Sequence, residues 1–104
     1  MVLSSYFRLI IFGSLLFFSC APNNPTTPDG KPDGKALYEQ NCAVCHGEDG
    51  KMGSAGAKDL SVSALNAEQR FSIITNGKGA MTPFKDVLDE EQRKAVAVYL
   101  DELK

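Results

Sequence analysis

Tryptophan is absent from this chain of 104 residues, histidine occurs once, and cysteine occurs three times. One histidine rules out a His-rich metal site. A closed zinc site needs four ligands, and His46 could find them only by recruiting Cys20 across a proline-rich stretch. Charge of one sign is also lacking, with 11 basic and 13 acidic residues giving a net charge of −2. That balance excludes the basic face by which proteins grip nucleic acid. No apolar run reaches the roughly 20 residues of a membrane-crossing helix, and no run of alternating β-branched residues signals a strand. The chain is too short for a doubly wound sheet, a barrel or two lobes around a cleft. A domain this small needs a staple beyond its own side chains, whether disulfides, a metal or a cofactor.

Residues 9–18 are a short apolar run behind Arg8. This pattern fits the hydrophobic region of a secretory signal better than a buried helix, because no later segment could cover so many large side chains. The leader is therefore assigned to 1–19. Its end, Phe17-Phe18-Ser19-Cys20-Ala21, resembles a bacterial lipobox, which implies cleavage before Cys20 and a lipid on its thiol. Lipidation also explains an odd cysteine in an exported protein, and an acyl chain would hold the domain on a membrane surface without crossing it. Residues 21–33 hold four of the five prolines and read as an extended tether, so 20–33 forms the anchor and linker.

The folded domain is assigned to 34–104. Three helices are predicted. The first runs from Gly34 to about Cys45, with Asp33 as N-cap. The second runs over Ala67–Asn76, with Asn66 and Gln69 as a capping box and Gly77 as its stop. The third runs from Glu90 to Lys104, capped by Asp89 with Gln92 three residues on, and Ala95, Val96, Tyr99 and Leu103 form its buried stripe. The stretches 47–63 and 75–82 are rich in Gly and small polar residues, so they read as loops. Long loops suit a domain this small only if they wrap something that is not protein.

The chemistry concentrates in Cys42-Ala43-Val44-Cys45-His46. Cys-x-x-Cys-His is the attachment pattern for c-type haem. Two thiols about one helical turn apart can add to the two vinyl groups of a porphyrin, and the next residue brings an imidazole to the iron. A thioredoxin-like disulfide between Cys42 and Cys45 would be expected with a βαβ pattern, and none is present. A second axial ligand must then be methionine. Met52, six residues after His46, would have to round the ring edge and return, and it reads as filler. Met81, in Gly77-Lys78-Gly79-Ala80-Met81-Thr82-Pro83-Phe84, sits in a loop whose glycines permit close approach and whose Pro83 stiffens the turn behind it.

On these residues, together with the terminal amphipathic helix carrying Tyr99, the stretch 34–104 resembles a small bacterial class I cytochrome c. The resemblance implies an all-α fold of three main helices and Gly-rich loops around one covalent haem held by Cys42 and Cys45, with His46 and Met81 as axial ligands. It further implies that Gly34 and Tyr38 pack against the last helix near Tyr99, and that Leu60, Leu65, Ile74 and Phe84 contact the haem. Two departures stand out. Thr82 separates Met81 from Pro83, and the loop Gly56-Ala57-Lys58-Asp59-Leu60 lacks the proline whose carbonyl often accepts the proton of the axial histidine. The implied function is one-electron transfer in a respiratory or other periplasmic chain. The expected protein is a lipid-anchored monomer, not an enzyme, that exchanges electrons with a donor and an acceptor protein. The alternatives are a haem-based gas sensor or a haem domain serving an oxidoreductase complex. The presumed second ligand Met81 speaks against an open sensing site, and a dihaem peroxidase would need a second Cys-x-x-Cys-His.

Overall fold

Local capping sets where each helix begins. The computed structural model describes residues 24–104; the leader at 1–19 and Cys20 lie outside the described residues. Helix α1 spans Gly34–Asn41, and the Asp33 carboxylate accepts from the backbone N–H of Ala36 at 3.0 Å. Helix α3 spans Ala67–Asn76 and helix α4 spans Glu90–Tyr99. Both open on the expected capping boxes, Asn66 with Gln69 and Asp89 with Gln92, so each satisfies two backbone donors that a helix start otherwise leaves orphaned.

Three boundaries differ from the sequence reading. The first helix is broken at Cys42, whose φ of −112° opens the ladder, and a one-turn helix α2 follows over Ala43–His46. The Cys42 carbonyl accepts from both Cys45 (3.2 Å) and His46 (3.0 Å), a bifurcation typical of helix ends. The last helix tightens into a 3₁₀ turn at Leu100–Leu103. The proline-rich stretch is not extended throughout: Thr26 bridges Pro32, and Asp33 N–H donates to the Pro25 carbonyl at 3.0 Å, so the chain turns back on itself before α1. Asp29 and Gly30 supply the turn chemistry there. Short 3₁₀ turns at Ser54–Gly56 and Leu60–Val62 punctuate the loop after α2. Among the described residues no helix is long and apolar enough to cross a membrane.

The helices meet around α4, with α1 and α3 both packed against it. Leu37, Tyr38, Cys42, Ile74, Leu88, Val96, Ala97 and Leu100 form the buried cluster. The α1–α4 crossing is close because Gly34 has no side chain: a Cβ there would lie 2.4 Å from the Ala95 carbonyl oxygen. One turn further along, the Tyr38 and Tyr99 rings pack at 5.4 Å between centroids and 52° between planes, a tilted aromatic contact. This is the first-helix to last-helix packing expected from the sequence. Gly34→Ala should force the two helices apart and cost about 1–3 kcal/mol or more, read as a lower unfolding midpoint in a thermal melt; an unchanged midpoint would show that the crossing is not tight.

Candidate cofactor cavity

Inside this frame lies a cavity of about 460 Å³, within the range of small-molecule and cofactor sites, roughly 300–1,000 Å³. Leu60, Leu65, Ile73, Ile74, Val96 and Leu100 supply apolar wall. Cys42, Cys45, His46 and Met81 all line it. Four residues scattered over 40 positions of sequence are thus brought to one space.

The break at Cys42 has a direct consequence for the motif. Cys42 is buried at the junction and Cys45 is exposed, yet both face the same cavity, and neither is in a disulfide. Burial pushes the Cys42 thiol up to about 11, with the neighbouring Cys45 adding to the rise. A thiol held protonated is a poor redox nucleophile at neutral pH. Among the described residues no cluster of three or more His, Cys, Asp or Glu could hold a bare ion.

His46 Nδ1 lies 3.0 Å from the backbone oxygen of Lys58. A carbonyl only accepts, so Nδ1 carries the proton and Nε2 keeps its lone pair for a metal. The loop that presents this carbonyl lacks the familiar proline and is held by other means. Leu60 N–H donates to the Gly50 carbonyl at 2.9 Å, Met52 N–H donates to the His46 carbonyl at 2.9 Å, and Asp59 caps the 3₁₀ turn through Ser61 N–H. At the rim Ala55 has φ of 52°, a left-handed conformation that costs a non-glycine residue about 1–2 kcal/mol. Tyr38, buried at the base, donates from its hydroxyl to the Gly47 carbonyl at 2.6 Å and fixes the residue that follows the imidazole. Burial is the main cause that raises its phenol to about 12.

Met81 arrives on the loop after α3. Its N–H donates to the Lys78 carbonyl at 3.0 Å, and Phe84 N–H donates to the Ile74 carbonyl at 2.8 Å, so the loop is closed at both ends. Gly77, with φ of 72°, makes the turn possible: a Cβ there would stand 2.5 Å from the Met81 carbonyl oxygen. Met52 is 59% exposed and lies beside Gly47, Glu48 and Asp49, away from the cavity. Leu60, Leu65 and Ile74 line the cavity as expected, but Phe84 does not; it packs against the buried cluster instead.

Pattern reading passed over one wall residue. Arg70 is buried and lines the cavity, while its apolar neighbour Phe71 is only partly buried, with the Arg93 guanidinium 5.5 Å from its ring centroid. The signal was its spacing, since residue 70 lies one turn before Ile74 on the same face. Lys58 and Lys78 are the other charged lining residues, and no carboxylate lines the cavity.

Two thiols a turn apart, an imidazole with its outer nitrogen committed, and a thioether, all in an apolar cavity, fit a covalently attached porphyrin and do not fit a bare metal ion. Comparison with known proteins agrees. The family model described as cytochrome c oxidase, cbb3-type, subunit III matches residues 30–100. Cytochrome c6 of Nostoc sp. strain PCC 7120 is 34% identical over 100 residues, covering 90% of this chain and 88% of that protein. Cytochrome c-551 of Bacillus subtilis is 36% identical over 73 residues, covering 69% of this chain and 62% of that protein. The solved c-type cytochrome KustC0563 superposes with a TM-score of 0.61 at 32% identity, covering 69% of this chain and 98% of its own.

Substituting Gly77→Ala should distort the turn that carries Met81, combining left-handed strain with the carbonyl clash for a loss of about 2 kcal/mol. Peroxide oxidation followed by peptide mass mapping checks this. Sulfoxide should form faster at Met81 than in the parent protein, with no change at the already exposed Met52; equal Met81 rates would contradict the role given to Gly77.

Proposed function

The chain belongs to the small class I c-type cytochromes, and from that membership we propose which residues make it an electron carrier. The family binds one covalent c-type haem and carries electrons, and the haem, when bound, supplies a one-electron iron couple. Cys42 and Cys45 would hold the macrocycle through two thioethers. His46 would ligate through Nε2, oriented by the Nδ1–H bond to Lys58, which also makes the ring a better donor. Met81 would supply the sixth ligand. The observation that carries this assignment is the convergence of all four side chains on one apolar cavity.

With His46 and Met81 both holding the iron, no open site would remain for a substrate or a gas, so the role would be transfer and not catalysis. The apolar wall keeps water from the cofactor, and His/Met ligation favours a raised potential. The exposed side of the motif, where Cys45 and the 75% exposed Val44 reach solvent, would be the port through which electrons pass in brief contacts with partner proteins. The apolar leader and Cys20 support export and a lipid anchor on the periplasmic side of a bacterial membrane. The turn at 25–33 would then be the hinge between anchor and domain.

Two measurements test these assignments. Met81→Ala should convert a low-spin spectrum to a high-spin or water-ligated one and lower the midpoint potential; a low-spin spectrum identical to the parent's would remove Met81 from the ligand set. Cys20→Ser in the exported protein should move it from the membrane fraction to the soluble fraction. Continued need for detergent would defeat the lipid anchor while leaving the haem assignment intact.

A further inference from the structure

Arg70 occupies the middle of α3 at 4% exposure. A guanidinium stays charged at any physiological pH, and taking it out of water costs several kcal/mol unless partners compensate. Its partners come from the end of α4. One terminal nitrogen donates to the Ala97 carbonyl at 3.1 Å, and the other to the Asp101 carboxylate at 2.8 Å. Asp101 itself is 59% exposed and is shared with Lys104 at 3.3 Å. Arg70 holds the Asp101 carboxyl below its usual range, with Lys104 helping.

The two charges are therefore unequal as seen from the cavity. The cation is buried in the wall, where fields are weakly screened, and the anion stands in water, where they are strongly screened. Lys58 and Lys78 also line the cavity but are exposed, and solvent damps their effect in the same way. Arg70 is the one buried ionic group among the described lining residues.

Resting on the haem assignment above, we propose that Arg70 is the charge that sets this cytochrome's reduction potential, with Asp101 as its partial counterweight at the α4 terminus. Oxidation leaves one more positive charge at the cofactor. A buried cation in the same wall disfavours that state and so raises the potential. The Asp101 carboxylate opposes it, less strongly because water surrounds it. The ion pair thereby ties the end of the last helix to the redox equilibrium.

The test uses haem-loaded protein and compares Arg70→Gln, Arg70→Lys and Asp101→Asn by equilibrium redox titration. Covalent haem content, axial-ligand spectrum and thermal midpoint are recorded for each. Arg70→Gln should lower the reduction equilibrium constant about tenfold, a shift of about 59 mV for a one-electron couple. Arg70→Lys should keep most of the parent potential while melting lower, because it retains the charge and loses the two-pronged bond. Asp101→Asn should raise the potential by a smaller amount. Equal shifts in the Gln and Lys variants, a downward or absent shift in Asp101→Asn, or no shift in Arg70→Gln would each overturn the proposal and reveal a purely structural pair. Should Arg70→Gln fail to fold, the sign of the shift in the solvent-side variant Asp101→Asn decides alone. Absence of covalent haem from the parent protein would defeat the haem assignment and this inference with it, whereas unmoved potentials in low-spin, haem-loaded variants would defeat this inference only.

Discussion

The polypeptide buries too little apolar side chain to close its own centre. Among the described residues eight apolar side chains form the buried cluster, and beside them lies a cavity walled by leucines, isoleucines and Val96. Interiors ordinarily pack to crystal-like density, and a large apolar void costs stability in proportion to its volume. Filling this one with a rigid, mostly apolar macrocycle removes that cost and supplies contacts that the side chains lack. The long loops follow from the same constraint: they are walls for a cofactor, pinned by backbone bonds from Gly50, His46, Lys78 and Ile74 in place of regular secondary structure.

In the proposed assignment, covalent attachment and axial ligation would draw on different parts of the frame. The thiols and the imidazole come from one short segment around the break between α1 and α2, so their mutual spacing is a local property of the chain. The thioether comes from a separate loop and depends on long-range packing of α3 against α4. On the proposed assignment, attachment should therefore tolerate loosening of the fold, while ligation by Met81 should report on it. Arg70 links the two levels, because the residue that bonds the end of α4 is also the one that places a charge in the cavity wall.

Much of this was legible in the sequence, for identifiable reasons. The helix starts were clear because Asn66 with Gln69 and Asp89 with Gln92 are local signals that tertiary structure had no cause to override. The motif Cys42, Cys45 and His46 stood out because its spacing suits haem attachment, and the structure brings all three to one cavity. Other features were hidden. The break at Cys42 leaves no mark in residue type, since nothing in Asn41-Cys42-Ala43 is a helix breaker. The turn at 25–33 was read as tether because prolines lack an N–H donor, yet here Pro32 pairs with Thr26 and the Pro25 carbonyl accepts from Asp33. Phe84 was expected at the cofactor but is absent from the cavity lining and packs against the buried cluster, a matter of loop closure that spacing does not encode. Arg70 escaped because charged residues are presumed solvated, and its burial depends on a carbonyl and a carboxylate 27 and 31 positions away.

The direct test of a cofactor-filled interior is the mass of the intact chain under denaturing conditions, after expression in a strain able to attach haem. The mass should exceed that of the processed polypeptide and any acyl group by one haem, and the added mass should map to the peptide containing Cys42 and Cys45. A denatured chain with no added haem, or with the group on another peptide, would contradict it.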